Sequence, residues 1–390
     1  MDATRYPFIS FAFDPGQSLT PETWMLLGEA FSKCQHLAGV PLKPDAAIDL
    51  SAVYLARGVA ATTAIEGNTL SESEVQKIVD KGSADVSESR AYLEREVQNV
   101  LAAVREIDDA LKQGERPPIT RERLEYLNGK ILDGIPDKPE VVPGELREHD
   151  VVAGPYRAPH YSEVPELLDQ FVRWMAELRD PASGRDRPED KFVRAFLAAV
   201  LAHIYIAWIH PFGNGNGRLA RLIEVQILSE SGVVPLVATN LLSDHYNKTR
   251  DAYYLALDNA QRNIGEFVRY AARGFVDELR DQIAIVRDAN IAIHWESYVY
   301  QQFKGLPRTE ANDRRRDVAL AARAGQVITP ESLPELTVSL ARQYAGSGER
   351  MPARDLNFLV EHGLFKKLGY RRFEVERDII LAFIPPTAAA

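Results

Sequence analysis

Cysteine is almost missing from this 390-residue chain. The single Cys34 excludes an internal disulfide framework and a cysteine-based metal site. Histidines are few and scattered. His203 and His210 lie seven apart with no third ligand near them, so a zinc centre is not expected. An excess of positive charge is also absent. The net charge of −10 argues against a chain that coats nucleic acid along its whole length, although residues 301–390 carry +3. The opening MDATRYPFISFAFDPG has no basic segment followed by an apolar stretch. No secretory leader is expected there, and a reducing, cytoplasmic setting is. The apolar run Ala195–Ile209 is too short to span a bilayer and is interrupted by His203, so it reads as a buried core helix, with no membrane partner. Internal repeats and low-complexity stretches are lacking as well.

What is present is helical periodicity. Apolar residues recur at helical spacing over Pro21–His36, Ala46–Glu66, Ser87–Gln113, Arg121–Gly134, Val164–Leu178, Pro188–Ile209, Gly217–Ser231 and Lys248–Ile264. Pro188 suits a first helical position, where a missing N–H costs nothing. Breaks fall at GIPDKPE and RDPASGRDRPED. Between helices, VVAGPYRAPH (151–160) places two short extended pieces about a Gly-Pro turn, which reads as a small hairpin or a plain surface loop. Beyond about 285 the texture changes. ITPESLPELTVSLARQYAG and MPARDLNFLVEHGLF read as helices, and KKLGYRRFEVERDIILAF as a β-ribbon, the order of a winged helix. Lys366, Lys367, Arg371 and Arg372 at the ribbon's turn would contact DNA phosphates, or form a solvated wing on a protein-docking domain; Glu374 and Glu376 dilute the basic patch.

The segment HPFGNGNGRLAR, 210–221, follows the most apolar helix. Its glycines let the backbone turn tightly and approach a ligand closely. A new helix beginning near Gly217 would aim free N–H groups and its positive dipole end into the gap, which is an anion site. Arg218 and Arg221, three apart, share a helix face and suit two phosphates of one polyphosphate. His210 at the rim suits proton removal from a hydroxyl. The bland alternative is a tight helix–helix turn with a solvated arginine pair.

The same segment resembles the Fic-family signature, His-x-Phe-x-(Asp/Glu)-Gly-Asn-Gly-Arg-x-x-Arg, at every fixed position but one. The resemblance covers roughly 116–285. It implies a mainly α fold, with an N-terminal helical region (1–115) bearing an inhibitory helix and a helical core with a small β-hairpin flap (116–285); the helix, helix, ribbon order read above adds a winged-helix-like domain (286–390). It implies an autoinhibited protein adenylyltransferase, moving AMP from ATP, with Mg²⁺ or Mn²⁺, to a Ser, Thr or Tyr hydroxyl of a target protein. His210 would be the general base and Phe212 a core anchor. Gly215, Asn216 and Gly217 would line the anion hole. Arg218 would neutralise the α/β-phosphates and Arg221 hold the γ-phosphate. The departure is Asn214, where the family usually has the metal-binding acid; an amide carbonyl should ligate Mg²⁺ more weakly.

TTAIEGN, 62–68, resembles the family's inhibitory motif at Thr62, Glu66 and Gly67, which implies a Glu66–Arg221 pair. Read locally, Gly67 or Asn68 simply ends a helix. The resemblance further places a target-docking flap at Val152, Ala153, Gly154, Pro155 and Tyr156, approached through Gly144, Glu145 and Arg147. Tyr246, Tyr253 and Tyr254 suit either an adenine wall or core. Self-modification, a homodimer and DNA contact through the C-terminal domain are further expectations. The alternatives on one scaffold are another donor, removal of AMP, or a nucleotide-sensing winged-helix regulator without catalysis.

Overall fold

The computed structural model describes residues 6–42, 44–179, 187–348 and 350–381. The expected break over 180–186 and the end of the ribbon segment, 382–383, lie outside them. The fold is mainly α, with two small antiparallel hairpins among the described residues. The chain divides into two compact units, Met1–Ile283 and Ala284–Ala390.

In the first unit the helices are α1 (Pro15–Ser18), α2 (Pro21–Gly39), α3 (Pro44–Ile65), α4 (Glu72–Lys81), α5 (Ala91–Lys112) and α6 (Arg121–Leu132). The hairpin β1 (Val152–Ala153) and β2 (Tyr156–Arg157) follows. Then come α7 (Val164–Arg179), α8 (Pro188–Ile209), α9 (Asn216–Glu230), α10 (Leu241–Lys248), α11 (Arg250–Asn259) and the first half of α12 (Ile264–Phe303), whose later residues belong to the second unit. Local chemistry sets several starts. Thr20 and Thr120 cap α2 and α6, and Ser71 with Glu74 forms a capping box on α4. Pro188 sits at the first position of α8, as its sequence indicates.

The centre of this unit is the pair α8 and α9. Phe196, Val200, Ile204 and Ile206 of α8 are fully buried, each contributing roughly 1.5–3 kcal/mol. Helix α9 is enclosed by α3, α5, α6 and α8, so its polar residues are buried too and must find partners inside. Cys34 is buried on α2, and burial pushes its thiol up to about 12; it packs and does not react.

Three expectations need correction. Lys248–Ile264 is not one helix: Thr249, at φ −117° and ψ 38°, separates α10 from α11, and its hydroxyl bonds the His245 carbonyl. ITPESLPELTVSLARQYAG (328–346) is not one helix either: Ile328 bridges Phe373, and Thr337, extended at φ −151° and ψ 156°, separates a 3-10 turn at Leu333–Leu336 from a short helix at Val338–Gln343. The ribbon ends at Val375, and Arg377–Ile380 forms a 3-10 turn where the strand was expected to continue.

The second unit contains α13 (Glu310–Ala321), α14 (Val338–Gln343), α15 (Arg350–Glu361) and the hairpin β3 (Phe365–Gly369) with β4 (Arg372–Val375). Ile328 adds a bridge to Phe373 at the hairpin. Asp355 on α15 is fully buried and accepts from Arg314 Nε, Arg315 Nε and the Tyr344 hydroxyl at 2.8–2.9 Å, which ties its three helices together. On the hairpin, Lys366 lies near Glu374 and Glu376, and Arg371 pairs with Glu331.

Candidate functional site

Helix α8 ends at Ile209, and His210 takes the left-handed conformation (φ 49°, ψ 59°) while donating its N–H to the Ile206 carbonyl. This non-glycine residue at positive φ turns the chain into the 210–216 loop. Phe212 is buried and fixes the loop in the core. Asn216 closes it from inside: Oδ1 accepts the Phe212 N–H at 3.0 Å and Nδ2 donates to the Phe212 carbonyl at 2.8 Å. Its side chain is therefore committed to the loop, leaving its backbone N–H for an anion. Gly215, at φ 80°, opens α9, and no side chain caps that helix end. An uncapped N-terminus with its dipole is an anion cradle.

A carboxylate already occupies the cradle. Helix α3 ends in a Schellman turn: Gly67 N–H bonds Ala64 O at 3.0 Å, Asn68 N–H bonds Thr63 O at 3.2 Å, and Gly67 sits at φ 99°. The turn aims Glu66 at α9. Glu66 Oε1 accepts from Arg221 Nη2 at 2.6 Å. Arg221, almost fully buried, also donates Nε to the Thr62 hydroxyl at 2.7 Å and Nη2 to the Thr62 carbonyl at 3.0 Å. A methyl group on Gly217 would collide with Glu66 Oε1, so this glycine leaves the space the carboxylate fills. Burial works to raise the Glu66 carboxyl, but the Arg221 guanidinium, helped by Arg218, holds it below its ordinary value.

The second arginine is held as well, by a residue the sequence reading passed over. Arg218 Nη1 pairs with buried Glu96 of α5, and Nη2 donates to Asn214 Oδ1 at 3.1 Å. Glu96 also accepts from Asn68 Nδ2 at 2.9 Å, which connects the Glu66 turn to the Arg218 pair.

Asn214 departs from its expected role. Its Oδ1 accepts from the Gly215 N–H at 2.6 Å as well as from Arg218, so the carbonyl expected to meet a metal is turned inward with both lone pairs used. Its Nδ2 donates to Asp137 Oδ2.

Burial lowers the His210 ring to about 4, with the Arg147 charge adding to the drop. The imidazole is therefore neutral near pH 7. Nδ1 faces the Ala207 carbonyl at 3.4 Å, which favours the proton there and leaves Nε2 as acceptor. Arg147 organises the rim. It donates Nε to His210 O at 2.7 Å, Nη1 to His149 O at 2.8 Å and Nη2 to Pro159 O at 2.5 Å, joining the His210 turn to the hairpin's base. Leu146 bridges Phe212.

The hairpin pairs Val152 with Arg157 and Ala153 with Tyr156 across Gly154 (φ 58°) and Pro155. The Tyr156 hydroxyl bonds the Trp208 carbonyl at 2.6 Å and fastens the hairpin to α8. Val152 to Pro155 are exposed. Tyr246 and Tyr253 are buried, bonded to Glu224 and His203 respectively, and belong to the core. Tyr254 is half exposed. Among the described residues no cluster of three His, Cys, Asp or Glu is placed to hold a metal.

Residues 118–228 match the family model for the Fic/DOC family. The chain is 32% identical over 218 residues to protein adenylyltransferase fic-1 of Caenorhabditis briggsae and 31% identical over 216 residues to that of Caenorhabditis elegans. Each match covers 54% of this chain and 38% of the relative, so the chain spans well under half the length of these relatives. The fold is similar to a Fic family protein from Desulfovibrio desulfuricans G20, with a TM-score of 0.55 and 19% identity over 93% of this chain and 98% of that one. It is also similar to Fic-1 of C. elegans, with a TM-score of 0.53 and 23% identity over 68% and 73% of the two chains.

Proposed function

We propose that this chain, whose residues 118–228 match the Fic/DOC family, is an autoinhibited protein adenylyltransferase. The observation that carries the reading is the Glu66 carboxylate on Arg221, in the space above Gly217 at an uncapped helix N-terminus. A carboxylate there stands where a nucleotide phosphate would, next to a neutral histidine.

The chemistry follows from the residues. ATP binds with its phosphates at the α9 N-terminus once Glu66 withdraws. Arg221 then takes the γ-phosphate and Arg218 the charge developing on the leaving group. The exposed strand β1 pairs with the target's main chain and brings a hydroxyl to the site. Its proton passes to His210 Nε2 as its oxygen attacks the α-phosphorus. The bond from that phosphorus to the bridging oxygen breaks and pyrophosphate leaves. Positioning and charge neutralisation supply the rate. A divalent cation, when bound, neutralises phosphate charge. The Asn214 carbonyl does not fit as its ligand, because both lone pairs are used.

The test is isotopic. Protein carrying Glu66→Gly is incubated with a lysate and ATP labelled at either the α- or the γ-phosphate. Transfer from the α-position alone, with pyrophosphate released, supports the reading. Transfer from the γ-position makes the protein a kinase, and transfer from neither makes the pocket a nucleotide site without this chemistry.

A further inference from the structure

Position 214 lacks an acid, but the corner beside it does not. The loop after α6 brings Asp137 to the Asn214 amide, with Asn214 Nδ2 donating to Asp137 Oδ2. The loop that carries Asp137 is fastened at both ends. Behind it, Asn99 Nδ2 donates to Asp133 O at 2.8 Å. Ahead of it, Gly144 N–H donates to Asn128 Oδ1 at 3.0 Å. The fully buried Asn128 also donates Nδ2 to Asn214 O at 2.9 Å, so one side chain fastens this loop to the glycine loop. Val141 packs in the space a side chain at Gly213 would need.

The two positions read as a matched pair. Asn214 Oδ1 is occupied by the Gly215 N–H and Arg218, so the group at its other branch must face Asp137. A carboxylate at 214 would put oxygen against oxygen there; the amide puts a donor. An amide at position 214 thus complements the charge at position 137. Asp137 Oδ2 takes the amide and Oδ1 the Lys138 N–H at 2.7 Å, which leaves each oxygen a lone pair on an exposed carboxylate at the edge of the phosphate cradle. Mg²⁺ and Mn²⁺ carried by a nucleotide need only one or two protein carboxylates besides phosphates and water.

We propose that Asp137, oriented by Asn214, is the protein ligand for the divalent cation that enters with the nucleotide. This rests on the reading of the cradle as an ATP site.

The experiment reads Mn²⁺ binding by electron paramagnetic resonance, in full-length protein carrying Glu66→Gly and saturated with a non-hydrolysable ATP analogue. Analogue binding in EDTA is measured in parallel. Asp137→Asn should weaken Mn²⁺ binding by roughly ten- to a hundredfold, the loss of one charged oxygen ligand near phosphates, with little change in metal-free analogue binding. The exchange Asp137→Asn with Asn214→Asp should recover it, since the acid returns to the other side of the same contact. Unchanged Mn²⁺ affinity in Asp137→Asn overturns the proposal while leaving the ATP site standing. If the parent binds no analogue with or without metal, both readings fall, because no nucleotide then delivers a cation to this loop.

Discussion

Glu66 Oε1 lies 2.6 Å from Arg221 Nη2, in space that exists because residue 217 is glycine. The carboxylate is more than a quarter exposed, while the guanidinium it holds is almost wholly buried. The Glu66 side chain can therefore leave toward solvent, but the arginine cannot follow it. Thr62 keeps Arg221 in place through two further hydrogen bonds, so withdrawal of Glu66 would leave a preorganised guanidinium, the phosphate ligand of the proposed reaction.

Substitution of Gly217 by Ala separates the two uses of that space. In protein lacking Glu66 the alanine gains helix propensity in the first turn of α9 but stands 3.1 Å from Arg221 Nη1, so stability should change by less than about 1 kcal/mol. Its methyl group also stands where phosphate oxygens belong, so ATP affinity should fall on the order of tenfold, about 1.4 kcal/mol. Urea unfolding and calorimetric titration of ATP, run on the same Glu66→Gly, Gly217→Ala protein, check both expectations.

Because burial holds His210 near 4, below the 6.5 of an ordinary histidine, the fold favours its neutral form. The stability this gives is complete above about 6.5 and is lost as pH falls toward 4. Wild type should therefore lose more stability than His210→Asn between these values, read from Tm against pH. Transfer by the released enzyme should show no histidine-like rise between pH 6 and 8.

Glu96 is the buried partner of Arg218. Glu96→Gln keeps a hydrogen-bonding oxygen but removes the charge, and should cost about 1–3 kcal/mol in urea unfolding. The freed charge on Arg218 should tighten ATP binding in the Glu66→Gly background, measured by titration.

Tyr156 fastens the hairpin to α8 through the Trp208 carbonyl. Tyr156→Phe leaves that carbonyl without its donor and should cost about 1–2 kcal/mol. If the hairpin docks the target, KM for the protein substrate should rise while KM for ATP stays level.

Much of this was legible because it is local. Both ends of α8 are marked in the chain, by Pro188 and by the break at His210, and Gly67 marks the end of α3. The Glu66–Arg221 pair followed from a motif, although its partners are 155 positions apart. The residues missed share a different property. Glu96, Asn128 and Asp137 stand on ordinary helical or loop sequence and acquire a role only from what lies opposite, 77 to 122 positions away. No periodicity signals such a meeting. The division at Thr249 was hidden for a related reason, since neither glycine nor proline marks it.

The most direct measurement is the rate of α-labelled AMP transfer by wild type, Glu66→Gly, and Glu66→Gly combined with His210→Ala. Loss of a charge-assisted bond of about 1.5–3 kcal/mol predicts roughly a ten- to hundredfold rise in Glu66→Gly, and return to background when His210 is also replaced. Equal rates in wild type and Glu66→Gly, or transfer that survives His210→Ala, would contradict the account.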